Sequence, residues 1–165
     1  VAALPAGSRT RITDTRKTTP GLRALERYAV RCGGAHNHRD SLGAGVLIKD
    51  NHIEAAGGVA AAVARARARA PHTIRVEVEV ESLEMLDVAL AAGADVVMLD
   101  NFAPDALRAA IERARGHALI EVSGRVTLER IAELGALGVD VVSVGALTHS
   151  VPASDIALDV TRVGG

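Results

Sequence analysis

The chain has 165 residues, of which 48% are hydrophobic, and a formal net charge of -1 at pH 7. This length suits one domain with a substantial core, and the near-zero charge provides no attraction toward nucleic acid or acidic membranes. Tyr28 and Phe102 are the only aromatic residues, so the stacking surfaces of single-strand nucleic-acid binders are missing too. The single Cys32 excludes an intrachain disulfide and fits a reducing cytoplasm. No apolar run reaches the roughly 18 residues that span a bilayer. We therefore expect a cytoplasmic protein with neither a membrane nor a nucleic-acid partner.

Short β-branched runs alternate along the chain with Ala-, Leu- and Arg-rich stretches of helical period. The predicted strands are Thr10–Thr13, Gly45–Ile48, Ile74–Val80, Asp95–Leu99, Ala118–Val122 and Asp140–Val144. The predicted helices are Leu22–Arg31, Val59–Ala70, Leu83–Ala92, Pro104–Arg115 and Leu128–Leu137. Ser82 and Thr127 occupy N-cap positions, and Gly138 suits a helix stop. This alternation predicts an α/β fold of βα units with parallel strands.

Polar side chains follow each predicted strand at its carboxyl end. In chain order they are Arg16-Lys17, Lys49-Asp50, Glu79 with Glu81, Asp100-Asn101, Glu121 with Ser123-Gly124, and Ser143 with Gly145. A β/α barrel builds its active site from these strand ends, whereas an open doubly wound sheet binds its ligand at one switch point. The sequence also lacks a G-x-G-x-x-G turn. The pattern therefore favours a six-stranded β/α barrel.

Lys17 and Lys49 are the only lysines, beside seventeen arginines. Arginine does not replace lysine where a compact ammonium is needed, so these two are the first candidates for chemistry. The third strand alternates strictly, with Glu77, Glu79 and Glu81 on one face and valines on the other. If helices cover the valines, the three glutamates point into the barrel and require cationic partners, which the two lysines could supply.

These residues resemble the quinolinate phosphoribosyltransferase family. The matching runs are Arg16-Lys17-Thr18-Thr19-Pro20-Gly21, Asn37-His38-Arg39, Leu47-Ile48-Lys49-Asp50-Asn51-His52, Glu77-Val78-Glu79-Val80-Glu81, Leu99-Asp100-Asn101-Phe102, Glu121-Val122-Ser123-Gly124 and Gly145-Ala146-Leu147-Thr148-His149. The resemblance covers the family's C-terminal domain, an open six-stranded β/α barrel, over residues 1–165. It implies that this chain is a fragment lacking the family's N-terminal α/β sandwich domain, and that the active unit is a homodimer or larger.

The resemblance implies a pentosyltransferase of de novo NAD biosynthesis. Quinolinate takes a phosphoribosyl group from phosphoribosyl pyrophosphate (PRPP) with Mg²⁺, and decarboxylation gives nicotinate mononucleotide, CO₂ and pyrophosphate. The implied catalytic residues are Lys17, Lys49, Glu79 and Asp100. The implied quinolinate ligands are Arg16, Lys17, His38, Arg39 and Lys49, and the implied residues for ribose and metal are Glu79 and Asp100. The implied phosphate-binding residues are Ser123, Gly124, Gly145, Ala146 and His149.

The chain departs from the family pattern at several positions, and two alternative functions also stay open. Ala44 stands where family members usually carry Asp, and Arg125 stands where a small residue is common. A molybdenum-locus paralogue of the same fold, with another substrate, is one alternative. A folded but catalytically incomplete barrel is another.

Overall fold

The computed structural model describes residues 1–161, so the last four residues of the predicted domain 1–165 lie outside the described part. Six strands are present: β1 (Arg11–Thr13), β2 (Val46–Ile48), β3 (Val76–Val80), β4 (Val96–Asp100), β5 (Leu119–Ser123) and β6 (Val141–Ser143). The helices are α1 (Arg23–Cys32), α2 (Asp50–Ala56), α3 (Val59–Arg69), α4 (Leu83–Ala91), α5 (Pro104–Ala114), α6 (Leu128–Leu137) and α7 (Ala146–His149).

All strands pair in parallel, in the order β1-β6-β5-β4-β3-β2. Strands β1 and β2 form the two edges of the sheet, so the barrel is open between them. Thr13 forms an isolated parallel bridge with His36, which places the segment after α1 alongside the β1 edge. The predicted fold class, an open six-stranded β/α barrel, is confirmed.

The two faces of the sheet differ in chemistry because side chains alternate along each strand. Val76, Val78 and Val80 belong to the hydrophobic core that the helices cover. On the opposite face the register sets Glu79 beside Met98 and Met98 beside Glu121, so these side chains face the barrel interior.

One detail of the third strand differs from the prediction. Glu77 is buried and Glu79 half-buried on the inner face, but Glu81 lies beyond the end of β3 and is exposed. The predicted inward orientation of three glutamates therefore holds for two of them, because the alternation ends with the strand.

The predicted helix boundaries have visible local causes. The Ser82 hydroxyl accepts the N–H of Met85 at 3.2 Å, the Thr127 hydroxyl accepts the N–H of Arg130 at 3.3 Å, and α5 begins with Pro104. Helix α6 ends at Gly138, whose φ of 74° is left-handed. Helices α2 and α7, of 7 and 4 residues, were not predicted. Within residues 1–161 no helix combines the length and apolarity needed to cross a bilayer.

Candidate active site

A cavity of about 290 Å³ opens at the carboxyl ends of the strands. The structure brings together there every residue predicted for quinolinate, ribose and metal: Arg16, Lys17, His38, Arg39, Lys49, Glu79 and Asp100. Parallel strands end at the same rim, which is why residues so far apart in sequence converge. Thr15, Leu47, Met98, Glu121, Ser123 and Ser143 complete the lining.

The two lysines enter this cavity from opposite edges of the sheet. Lys49 follows β2, and its ammonium pairs with Oε2 of Glu79 on the neighbouring strand. The main-chain N–H of Lys49 donates to Nδ1 of His52 at 3.0 Å, which fixes the turn into α2. Lys17 follows β1, is exposed, and keeps its place through its carbonyl, which accepts the buried Thr148 hydroxyl at 2.6 Å.

Arg16 and Arg39 add two guanidinium groups to the same cavity. Burial lowers the pKa of Arg39, and the nearby charge of Arg16 lowers it further. Nη1 of Arg39 donates to the carbonyl of Gly45 at 2.8 Å, so this side chain reaches across the open side of the barrel toward β2. The crowded cations would be stabilised by an anionic ligand.

A fully buried carboxylate, Asp14, organises the segment that carries His38 and Arg39. It accepts hydrogen bonds from Nδ2 of Asn37 at 2.6 Å, from the main-chain N–H of His38 at 2.7 Å, and from Nη1 of Arg27 at 3.3 Å. Sequence reasoning did not single out Asp14. A lone acid immediately after a short apolar strand was the available signal.

The ring of His38 lies between two acidic side chains at the floor of the cavity. Its Nε2 is 3.4 Å from Oε1 of Glu121 and 3.7 Å from Oε2 of Glu77. Contact with Glu121 and then Glu77 raises the pKa of His38 to about 10, while burial raises the pKa of Glu77. The main-chain N–H of Arg39 donates to Nδ1 at 2.8 Å. This contact opposes protonation of Nδ1, because an N–H donates only to an unprotonated nitrogen.

A second pocket of about 400 Å³ adjoins the first and shares five lining residues with it: Thr15, Lys17, Asp100, Ser123 and Ser143. It contains every residue predicted for phosphate: Ser123, Gly124, Gly145, Ala146 and His149. Arg125, the departure noted in the sequence, also lines it, with a left-handed φ of 44°.

A side chain at Gly124 or at Gly145 would meet a close neighbour, but only Gly124 also has a left-handed φ, and the neighbour of Gly145 is the end of an exposed side chain. A Cβ on Gly124, whose φ is +91°, would lie 2.3 Å from Oδ1 of Asn101. A Cβ on Gly145 would lie 2.7 Å from Nε2 of His149. The Asn101 amide in turn donates to Oδ2 of Asp100 at 2.7 Å, so the glycine loop and the acid are coupled.

Three carboxylates form a cluster around Asp100, which lines both pockets. Oxygens of Glu79, Glu81 and Asp100 lie within 4.8 Å of one another. A donor set of carboxylate oxygens beside the glycine-lined pocket suits Mg²⁺, which is commonly held by one or two carboxylates together with substrate phosphates. The residues present therefore fit the predicted ion.

The sequence and the fold both match known proteins. Residues 1–159 match the family model for the C-terminal domain of quinolinate phosphoribosyl transferase. The chain is 50% identical over 151 residues to the probable nicotinate-nucleotide pyrophosphorylase (carboxylating) of Bacillus subtilis, covering 92% of this chain and 52% of that protein. It is 45% identical over 160 residues to the human nicotinate-nucleotide pyrophosphorylase (carboxylating), covering 95% and 54%.

Solved structures agree with these matches. NadC from Streptococcus pyogenes superposes with a TM-score of 0.83 at 48% identity, over 90% of this chain and 52% of that one. The nicotinate-nucleotide pyrophosphorylase from Francisella tularensis gives 0.80 at 48% identity, over 86% and 50%. The chain thus spans about half the length of the relatives it matches.

Proposed function

Because the chain belongs to the quinolinate phosphoribosyl transferase C-terminal domain family, we propose that its barrel supplies the active site for phosphoribosyl transfer from PRPP to quinolinate with decarboxylation. The products are nicotinate mononucleotide, CO₂ and pyrophosphate, a step of de novo NAD biosynthesis. The observation that supports this best is the cation-lined cavity fused to a glycine-lined pocket, with Lys17 and Asp100 in both.

The first cavity fits a small dianion. Arg16 and Arg39 offer planar guanidinium forks that can bind a carboxylate with two hydrogen bonds. Lys17 and Lys49 offer compact ammonium groups at the rim. Burial, and then the charge of Arg16, lowers the pKa of Arg39, and a dicarboxylate bound among these cations would offset the repulsion between the two guanidinium groups. Two carboxylates on one small ring match this arrangement better than one.

The second pocket fits the phosphoribosyl group. Main-chain N–H groups of glycine loops after the last strands of β/α barrels commonly bind phosphate. With the 5-phosphate of PRPP near Gly124, Gly145 and His149, its ribose would lie near the shared Asp100. The anomeric carbon would then face the first cavity, where the pyridine nitrogen of bound quinolinate would lie.

The transfer step moves positive charge onto the ribose as pyrophosphate leaves. Carboxylates already in place stabilise such charge electrostatically; Glu79 lines the first pocket and Asp100 lines both. Mg²⁺, when bound, neutralises pyrophosphate oxygens, and we propose Glu79 and Asp100 as its protein ligands. Lys49 holds the Glu79 carboxylate in this position through their ion pair.

Decarboxylation needs little further help from the protein. Once the ring nitrogen carries ribose it is cationic, so the electron pair of the broken C2–carboxylate bond is stabilised at C2 until a proton replaces CO₂. The task of Lys17 and Lys49 is to hold the 2-carboxylate against rotation. A cytoplasmic, homodimeric enzyme is part of the proposal, and the single cysteine supports the reducing location.

Calorimetry with quinolinate and then nicotinate tests the proposal, using the natural protein with any sequence that flanks this chain. We expect quinolinate to bind at least tenfold more tightly than nicotinate, because only quinolinate engages both sets of cations. Lys49→Ala should abolish most activity, whereas Arg113→Ala, which removes an exposed arginine paired with Asp87, should not. The absence of heat with quinolinate would refute the proposal and favour the paralogue with another substrate. Binding without turnover would favour the incomplete barrel.

A further inference from the structure

Two buried carboxylates beneath the cavity have no role in the proposed reaction. Glu77 and Glu121 project from the inner faces of β3 and β5, with side chains only 10% and 4% exposed. Oε1 of each has no hydrogen-bond partner among the described residues. Two buried carboxylates this close are costly unless a cationic or donor group lies between them, and the ring of His38 occupies that position.

Both nitrogens of the His38 ring are engaged by the protein. Nδ1 faces the N–H of Arg39 at 2.8 Å, so Nε2 is the nitrogen that carries a proton whether the ring is neutral or cationic, and it lies between Glu77 and Glu121. The three side chains lie close enough to surround a metal ion. A metal would need the lone pair of Nε2, which the geometry commits to a proton, so the contacts favour electrostatic pairing of the ring with the two carboxylates over a metal centre.

This cluster faces the site through two of its members. Glu121 lines the cation-rich cavity, where an uncompensated carboxylate would repel a dianion. The ring of His38 lies against the Glu121 carboxylate and screens its charge. The ring also holds the main chain of Arg39, whose guanidinium lines the same cavity and bridges to Gly45.

We propose that Glu77 and Glu121 are positioning residues, which orient His38 and through it Arg39 for binding a dicarboxylate. His38 then screens the Glu121 charge and supports the main chain of Arg39, with its ring nitrogens turned toward the protein rather than toward the ligand. This inference rests on the proposed function for the identity of the ligand, but not for the state of the ring.

The Glu121→Gln variant distinguishes a positioning role of Glu121 from the direct effect of its charge on the ligand. Removing a negative charge from the cavity wall would by electrostatics alone tighten quinolinate binding. Positioning predicts the opposite: the quinolinate Kd rises about tenfold, with the PRPP Kd within twofold of wild type. Glu77→Gln should act in the same direction, and Glu133→Gln, at an exposed carboxylate near Arg108, should change neither Kd.

A double-mutant cycle tests the screening role directly. His38→Ala should weaken quinolinate binding, and adding Glu121→Gln should restore part of it, because the carboxylate that the ring screened is then gone. Equal or tighter quinolinate binding by Glu121→Gln, or no recovery in the double variant, overturns the proposal.

A measurement on the ring keeps the inference independent of folding defects and of the ligand. In ¹⁵N-labelled wild-type protein, Nε2 of His38 should carry a proton at pH 7. A bare Nε2, or stoichiometric Zn²⁺ or Mn²⁺ binding that His38→Gln abolishes, would overturn the proposal in favour of a metal centre. If the wild-type protein does not bind quinolinate but Nε2 is protonated, the proposed function is refuted while the inference about the ring is upheld.

Discussion

Replacing Asp14 with Asn should destabilise the protein far more than its single-atom change suggests. Asp14 is fully buried and accepts from three donors, which belong to Arg27, Asn37 and His38. The amide of an asparagine has one acceptor oxygen and one NH₂ group, which can only donate. In either orientation of the amide, its NH₂ group therefore meets a donor. The guanidinium of Arg27, itself only 11% exposed, also loses its buried counterion.

The magnitude follows from these contacts. Breaking one partner of a buried ion pair costs about 3–5 kcal/mol, and each hydrogen bond to a charged group contributes about 1.5–3 kcal/mol. Because the asparagine side chain retains one acceptor oxygen, part of the hydrogen bonding survives. We therefore expect a loss of about 3 kcal/mol in the free energy of unfolding. With an m-value of about 2 kcal/mol/M, the urea midpoint would fall by about 1.5 M.

Asp87→Asn is the matched control for this experiment. Asp87 pairs with Arg113 at 2.7 Å, but their side chains are 55% and 44% exposed. A surface pair of this kind contributes at most about 1 kcal/mol. If urea unfolding gave Asp14→Asn a loss no larger than that of Asp87→Asn, the reasoning about the buried carboxylate would be refuted.

Three further predictions concern the two pockets. Gly124→Ala should cost about 1–3 kcal/mol in urea unfolding, from its left-handed φ and the 2.3 Å approach to Asn101. Asn101→Gly should recover the part due to the clash, and an unchanged penalty in the double variant would contradict this. The raised pKa of His38, about 10 against 6.5, predicts a stability contribution that is complete below pH 6.5 and is lost as the pH rises toward 10. The free energy of unfolding should therefore decline more steeply over that interval than in His38→Gln, and parallel curves would argue against it. Lys17→Arg and Lys49→Arg keep the charge but misplace it, so turnover should fall at least about tenfold; wild-type rates would show that charge alone suffices.

The sequence predicted the barrel well because its strands carry strong local signals. Alternating valines in β3 and the N-cap of Ser82 fix a strand and the following helix almost to the residue. Helix α2 was missed because its first turn coincides with the polar Lys49-Asp50-Asn51-His52 run, which was interpreted only as a site motif. Helix α7 has just 4 residues, too few for a helical period to appear.

The positions of the site residues could be predicted, but their mutual contacts could not. Strand-end side chains converge by topology, which explains why the predicted residues share two adjoining pockets. The bonds to Asp14 join residues 13, 23 and 24 positions apart through turns that follow no period. The contact between His38 and Glu121 likewise depends on how the His36 segment lies against β1.

The pairing of the first strand with the last has a consequence for how the protein is made. The hydroxyl of Thr10 donates to the carbonyl of Val139 across 129 residues, and that of Thr148 reaches back to Lys17 across 131. On the ribosome, β1 has only its bridge to His36 until β6 has emerged, and contacts of such long range form late. The Lys17 side of the cavity is therefore assembled after the rest, so a nascent chain acquires its complete cation-lined cavity only near the end of translation of this domain.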